Sequence, residues 1–491
     1  MTKLVIHNNY CQIQGETDIS FLWALDRELS FYVLGAQYMP AYRGYVNREG
    51  RFVKWDGKQK LLTESLQFPL GLLERVVNFY KKDSKEVEIE DTRPTKSEAK
   101  YVNIVDKLVA AGKAPYPYQL DAVKATQEHE CGIIRLATGG GKTIVAALIT
   151  ANFGKNTMIY VIGKDLLYQI HNLFTSLFDQ KIGIVGDGLC EIHDINVVSI
   201  WTVGQALGLK KSKIIEEDVD DEKSLDPQKY QDIRDMMSRA KVHIFDECHV
   251  AACKTIQEIA RSISPEHIYG MSASPWRDDG ADMLIESLLG RNIINISAST
   301  LIKNGYLVKP TIKFLKVPGI PDNKEHFQTV YKKYIVENEV RNSYVIKGAE
   351  KLVEQGYQTL VLYNSVAHGA ALFEELNKKL PCYLLSGKDS SDVRTKAKHD
   401  LEDGKIKCII ASKIFDIGVD LPSLSGLVIA SSGKSSVRAL QRIGRVIRKY
   451  PNKSRAAIID FYDQAPFLKD HAKARKKIYS SEEEFQVIWP K

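Results

Sequence analysis

Residues 136–143 read Leu136, Ala137, Thr138, Gly139, Gly140, Gly141, Lys142 and Thr143, a run whose types suit a polyphosphate. Three glycines let the backbone turn tightly with its N–H groups facing inward, at the positive end of a helix predicted over residues 144–150. Lys142 adds a point charge for the outer phosphates, and the Thr143 hydroxyl suits Mg²⁺. Leu136 stands where the usual spacing has its first glycine, so the run alone also fits a plain strand-to-helix turn. Residues 244–250 form an apolar strand ending in two acids. Asp246 at its tip suits Mg²⁺, and Glu247 suits orienting or deprotonating an attacking water. His249, just beyond, is placed to report the phosphate state to a neighbouring loop. Solvated acids are the plain alternative, but a phosphate loop upstream gives the pair a task. Cys248 and Cys253 lie near His243 and His249, yet their spacing fits no zinc pattern.

Other residue types extend this chemistry. Gln119, upstream of the glycine run, can donate and accept at once, as an adenine edge requires. Ser272 and Ser274 close another strand with small hydroxyls, suited to a latch rather than to catalysis. Residues 441–448 carry Arg442, Arg445 and Arg448 at intervals of three, which a helix places on one face. Such guanidinium groups either form a surface face or neutralise charge on a transferred phosphoryl group. Ser412 suits a nucleic-acid phosphate, and Asp420 a ribose or an arginine. Residues 38–60 hold six basic and two acidic residues, among them Arg43, Arg51 and Lys54, interleaved with Tyr38, Tyr42, Tyr45, Phe52 and Trp55. Cations for phosphates and rings for bases make a nucleic-acid surface; a small β-domain with core aromatics fits the same residues.

The chain of 491 residues is too long for one ordinary core, which implies several domains. Hydrophobic content of 44% and charged content of 26% are those of a globular protein rather than a disordered one. No apolar stretch approaches a membrane span, and residues 1–10 lack a signal core, so no membrane partner is expected. Seven cysteines without paired spacing point to a reducing compartment, the cytoplasm. The net charge of +7 hides segregation: residues 434–479 hold thirteen basic and three acidic residues, whereas 214–235 hold three and nine. The basic stretch suits a polyanion, and the acidic one reads as a solvated insert looping out of the fold.

Apolar runs at 133–136, 158–162, 197–200, 242–245 and 267–271 alternate with helical patterns. The theme recurs at 359–363, 383–385, 408–411, 427–430 and 457–460, so two parallel α/β sheets follow one another. A small α+β unit precedes them, with residues 81–100 as linker. The expected domains are 1–95, 101–298, 299–463 and a basic C-terminal tail, 464–491, with a helix from Leu468 to Tyr479.

In order along residues 115–450, the run 138–143, Asp246 to His249, Ser272 to Ser274, the loop with Gly418 and Asp420, and residues 441–448 resemble the motif set of superfamily 2 helicases of DExH type. The resemblance implies an α/β chain of two tandem RecA-like parallel-sheet domains that uses ATP and Mg²⁺ and carries nucleic acid across both. It assigns Gln119 to adenine; Thr138, Gly139, Gly140, Gly141, Lys142 and Thr143 to the phosphates; and Thr143 and Asp246 to the metal. Glu247 would act on water, Arg445 and Arg448 as arginine fingers beside Gln441, and Asp420 on the nucleotide. His249, Ser272 and Ser274 would couple, and Lys164, Thr202 and Ser412 would touch the nucleic-acid backbone. Residues 51–62 and 68–80 are similar to the N-terminal domain of phage UvsW-like DNA helicases, which implies a DNA-binding role there for Arg43, Arg51, Lys54 and Trp55. Residues 304–310 resemble the entry to the second RecA-like domain of DNA-remodelling relatives. The expectation is an ATP-dependent DNA helicase or translocase acting as a monomer on branched or forked DNA in replication, recombination or repair. An RNA helicase and an ATP-switched DNA-binding or annealing protein are the alternatives.

Overall fold

The computed structural model describes residues 2–46, 50–209, 225–251, 253–274, 282–319, 325–386, 389, 391–412, 421–433 and 435–490. Gly418, Asp420 and residues 214–224 of the acidic insert lie outside the described residues. By contacts the chain forms two compact units: Met1–Arg135 with Lys142–Asn295, and Leu136–Gly141 with Ile296–Lys491.

The first unit begins with a four-stranded mixed sheet in the order Gln67–Pro69, Tyr10–Gln14, Thr2–Ile6, Val87–Asp91. The helices Ile19–Glu28 and Leu73–Lys82 lay Phe21, Leu25, Val76 and Tyr80 on Leu4, Ile6 and Phe68. Asp18 starts the first helix by accepting from the Ser20 and Phe21 N–H groups. Residues 81–100 are therefore more than a linker. Val87–Asp91 pairs in parallel with Thr2–Ile6, and although its side chains are mostly exposed, the ladder satisfies its backbone.

This small region is joined to the rest of the first unit. Leu284, on the helix Asp282–Leu289, belongs to the N-terminal core. Arg75 holds Glu286 through Nε at 3.1 Å and Nη2 at 2.6 Å, and reaches Glu28 at 2.9 Å. Arg291 meets Glu74 at 2.6 Å, and the Asn9 amide donates to the Arg261 carbonyl at 2.7 Å.

The large sheet of this unit has eight strands in the order Leu189–Glu191, Ile182–Gly186, Ile195–Ser199, Thr157–Val161, Val242–Asp246, His267–Ser272, Cys131–Leu136, Asn292–Ile296. Its central pairs are parallel, and Thr157–Val161, Ile195–Ser199 and Val242–Asp246 are buried throughout, as a sheet covered on both faces requires. All five expected runs are strands. The helix Lys164–Leu177 buries Leu167, Ile170, Phe174 and Leu177 as one stripe. Part of the acidic stretch is also structured: Tyr230–Arg239 is a helix with Ile233, Met236 and Met237 buried.

The second unit holds a seven-stranded sheet in the order Cys382–Leu385, Cys408–Ala411, Thr359–Leu362, Gly426–Ile429, Arg455–Asp463, Lys309–Val317, Gln486–Ile488, with every pairing parallel. The C-terminal residues correct the expectation of a basic tail. Gln486–Ile488 is the outer strand, and the helix Leu468–Tyr479 buries Leu468, Ala472, Arg475 and Tyr479. Arg475 pairs with Asp460 at 2.8 Å, and the Tyr479 hydroxyl donates to the same carboxylate at 3.0 Å. The positive charge that set this stretch apart in the sequence is partly spent inside the fold.

Candidate active site

Three strands of the first unit end side by side: Val242–Asp246, His267–Ser272 and Cys131–Leu136, with Asp246 paired to Met271 and Ser272 to Arg135. Parallel pairing thus gathers the acids, the serine loop and the start of the glycine run at one sheet edge. Lys142 opens the helix Lys142–Phe153, and its ammonium contacts Glu247 directly and lies 3.9 Å from Asp246 Oδ1. Burial alone would lower the Lys142 pKa, but the Glu247 and Asp246 carboxylates raise it. The acids diverge: burial raises Asp246, whereas Lys142 and the His249 hydrogen bond overcome burial at Glu247 and hold it low.

Glu247 sits in left-handed backbone, φ 50° and ψ 48°, which costs a non-glycine residue about 1–2 kcal/mol. That turn carries the chain from the strand into the short helix Cys248–Val250. His249 Nδ1 is 3.3 Å from Glu247 Oε2 and 3.4 Å from Ser272 Oγ. Ser272 Oγ in turn accepts from the Ser274 N–H at 3.2 Å. The coupling residues His249, Ser272 and Ser274 therefore form one hydrogen-bonded line starting at Glu247. Sequence reasoning missed Arg135, whose Nε donates to the Ala273 carbonyl at 3.4 Å and ties this loop to the next strand. Its signal was a charge inside an apolar run.

The glycine loop is shaped for close approach. Gly139 and Gly141 have φ of 88° and 81°, and a Cβ on Gly140 would lie 2.6 Å from Leu136 Cδ1. Leu136 is fully buried beneath the loop, which explains an apolar residue at that place. Thr138 Oγ1 is buried with no hydrogen-bond partner among the described residues. In the second unit the orphaned hydroxyl and the glycine cradle are of the kind that suits a nucleotide polyphosphate. In the first unit Lys142 beside two carboxylates suits the same group, and Thr143 and Asp246 would hold Mg²⁺. When bound, the metal supplies charge neutralisation at the phosphates.

Within the second unit, residues 136–141 neighbour the arginines. A Cβ on Gly139 would lie 3.1 Å from Arg448 Cγ, and one on Gly444 2.3 Å from Thr138 Cβ. The single helix face expected for the arginines needs correcting. The helix is Ser436–Val446, and Arg448 lies beyond it in a bridge to Leu307, where the Val308 N–H donates to the Ile447 carbonyl. Arg442 is buried and donates to Ser431 Oγ at 3.2 Å, so it is a packing residue, while Arg445 is 9% exposed. Gln441 is half-buried on the same helix.

Family models match three stretches: "DNA helicase UvsW, N-terminal" over residues 3–90, "Type III restriction enzyme, res subunit" over 112–277, and "Helicase conserved C-terminal domain" over 343–450. These matches support a superfamily 2 helicase similar to the UvsW type. A putative helicase of a Sulfolobus islandicus filamentous virus is 26% identical over 364 residues, covering 70% of this chain and 62% of the relative. The ATP-dependent DNA helicase uvsW of Enterobacteria phage T4 is 25% identical over 497 residues, covering 96% and 92%. Among solved structures, S. cerevisiae Dbp5 bound to RNA and ADP BeF3 has a TM-score of 0.53 at 13% identity, covering 79% of this chain and 94% of that one. A putative HsdR fragment from Vibrio vulnificus has a TM-score of 0.54 at 18% identity, covering 76% and 68%. These likenesses show the fold: two RecA-like parallel-sheet domains, preceded here by the small α+β region.

The remaining expected residues of the helicase fare unevenly. Gln119 is buried, and its Oε1 accepts from the Tyr116 N–H at 2.9 Å as part of a capping box. The acceptor half of its amide is thus engaged within the chain. Lys164 is half-buried at the start of its helix, and Ser412 is half-buried just past the strand Cys408–Ala411. Thr202 is 1% exposed, so its hydroxyl is not presented to a nucleic-acid backbone. Arg43, Arg51 and Lys54 are exposed. Trp55 is half-buried, its indole N–H donating to the Lys58 carbonyl at 2.6 Å.

Proposed function

We propose that this ATP-dependent DNA helicase remodels branched or forked DNA in replication, recombination or repair, using ATP with Mg²⁺ and acting as a monomer. The observation that carries the reading is the unbroken line from Lys142 through Glu247 and His249 to Ser272 and Ser274. A change at the phosphates that draws Lys142 away alters the charge facing Glu247, and His249 passes that change to the serine loop. Glu247, held ionised, is suited to take the proton of an attacking water. Arg445 and Arg448 are the candidates for stabilising charge on the transferred phosphoryl group, a contribution of ~10³–10⁵ in rate for arginine fingers. The UvsW-type N-terminal region, with exposed Arg43, Arg51 and Lys54, supports branched DNA as the substrate.

The test is ATP hydrolysis and strand displacement across forks, bubbles, four-way junctions, linear duplex and RNA of equal length. Stimulation and displacement strongest on branched DNA are expected. Preference for RNA overturns the substrate, and hydrolysis limited to one turnover per enzyme reduces ATP to a binding switch.

A further inference from the structure

The small N-terminal region carries rings that its core does not use. Tyr38 is 75% exposed, Phe52 67% and Tyr45 51%, far too open for the core-aromatic alternative. Tyr42 and Trp55, by contrast, are half-buried, and Trp55 is tied at both its backbone N–H, to Ala41, and its indole N–H, to Lys58. Trp55 is a pillar of this region, and Phe52 is one of the rings that face outward.

Phe52 is also held in place. It lies on a short antiparallel ribbon, Tyr45–Val46 with Phe52–Val53, where Val46 is its cross-strand partner. A Cβ on Gly44 would meet three atoms of the Phe52 ring at 2.2, 2.8 and 3.0 Å, so the ring rests on bare glycine backbone. Gly44 caps the short helix Pro40–Arg43 with φ 90°, a conformation suited to glycine. The result is an aromatic plate with one part supported by backbone and the rest in solvent. Exposed Arg43, Arg51 and Lys54 belong to the same segment, where basic residues outnumber acidic ones six to two. A protein partner would need no such excess of one charge, whereas a polyanion carrying stackable rings matches both features.

We propose that Phe52 stacks on an unpaired base of the bound DNA strand, with Arg51 and Lys54 on the adjoining phosphates. The proposal rests on DNA being the substrate and adds the residue that distinguishes unpaired from paired DNA. Stacking is available only to a base whose face is open, so Phe52 raises affinity for forks and gaps over blunt duplex. The cations serve both kinds of DNA equally.

The experiment uses the full chain, Phe52→Ala, Phe52→Trp and Arg51→Ala, with forked DNA carrying 2-aminopurine at successive unpaired positions and a blunt duplex of equal length. The parent protein is expected to quench 2-aminopurine at one or two positions. Phe52→Ala should lose that quenching and bind the fork about 10-fold or more weakly, with duplex affinity and DNA-free ATP hydrolysis unchanged. Phe52→Trp should restore both the quenching and the affinity. Arg51→Ala should weaken fork and duplex alike and lower the salt slope of log K by about one. Fork binding by Phe52→Ala that matches the parent, or equal loss on duplex, overturns the proposal. A parent protein whose ATP hydrolysis ignores DNA overturns the functional reading itself, a separate outcome.

Discussion

Glu247 touches a lysine on one side and a histidine on the other while holding a left-handed backbone, so substitutions around it separate charge from shape. Glu247→Gln keeps an oxygen for Lys142 and removes the base. ATP turnover should fall ~10²–10⁴-fold while nucleotide binding persists, measured as steady-state hydrolysis beside nucleotide affinity. A variant that hydrolyses like the parent contradicts the role given to this carboxylate. His249→Ala breaks the link to Ser272 without touching the lysine. DNA-free hydrolysis should stay within a few-fold of the parent and stimulation by forked DNA should disappear; intact stimulation would show that the line to Ser274 does not carry the signal. At this scale residue types were legible in the sequence, but their partners were not. Lys142, Asp246, Glu247 and His249 stood out because their chemistry is local to short motifs. The burial of Thr202, the capping duty of Gln119 and the tether from Arg135 depend on how the chain packs around them, which spacing cannot supply.

Elements were legible where burial on both faces made them uniformly apolar, as in Val242–Asp246 and Thr359–Leu362. They were obscured where a strand is stabilised by its ladder rather than by its side chains. Val87–Asp91 reads as charged linker, yet it pairs along its whole length with Thr2–Ile6. Lys309–Val317 carries Lys309, Lys313 and Lys316 exposed among buried Pro310, Ile312, Phe314 and Val317, which blurs its apolar pattern. The link following the arginine helix holds a lysine in an unusual setting. Lys453 Nζ donates to the Pro422 carbonyl at 2.9 Å and also to that of Leu424, joining the loop before one strand to the turn before the next. Burial, aided by the Arg448 guanidinium, pushes its pKa from 10.5 down to about 7. A lysine depressed in the folded state releases a proton that the unfolded chain still holds between about pH 7 and 10.5. The burden that this lysine places on the fold is therefore greatest below about pH 7. Between about pH 7 and 10.5 the unfolded chain binds more protons, so stability at this site falls as pH drops from 10.5 to 7, by at most about 1.4 kcal/mol per pH unit, and is flat below. Thermal unfolding of the parent and of Lys453→Met from pH 7 to 10 should show the parent gaining relative to the variant as pH rises. Parallel curves would mean that Lys453 does not titrate there.

At the scale of the whole molecule, the N-terminal region and the first large sheet belong to one compact unit, and the seam between them has a closely packed point. Gly71 is buried in the turn Leu70–Leu72, and a Cβ there would lie 2.2 Å from the Glu286 carbonyl oxygen, 2.7 Å from that of Ser287 and 2.8 Å from the Gly290 nitrogen. All three are backbone atoms at the end of Asp282–Leu289, so no rotamer change relieves the clash. Gly71→Ala must shift one element away from the other, which also stretches the Arg75–Glu286 and Arg291–Glu74 pairs and uncovers Leu284. Overpacking of this kind costs about 1–3 kcal/mol. The expected outcome is faster proteolysis within residues 82–100 and weaker fork unwinding, with DNA-free ATP hydrolysis retained, because Asp246 and Glu247 lie at the end of another strand and Lys142 opens the helix Lys142–Phe153. General destabilisation would instead lower hydrolysis in step with unwinding. The charge-reversed pair probes the seam without overpacking: Arg75→Glu and Glu286→Arg should each loosen it, and the double variant should recover part of the loss. Digestion and unwinding by Gly71→Ala that match the parent would mean that the N-terminal region delivers DNA without being fixed to the sheet.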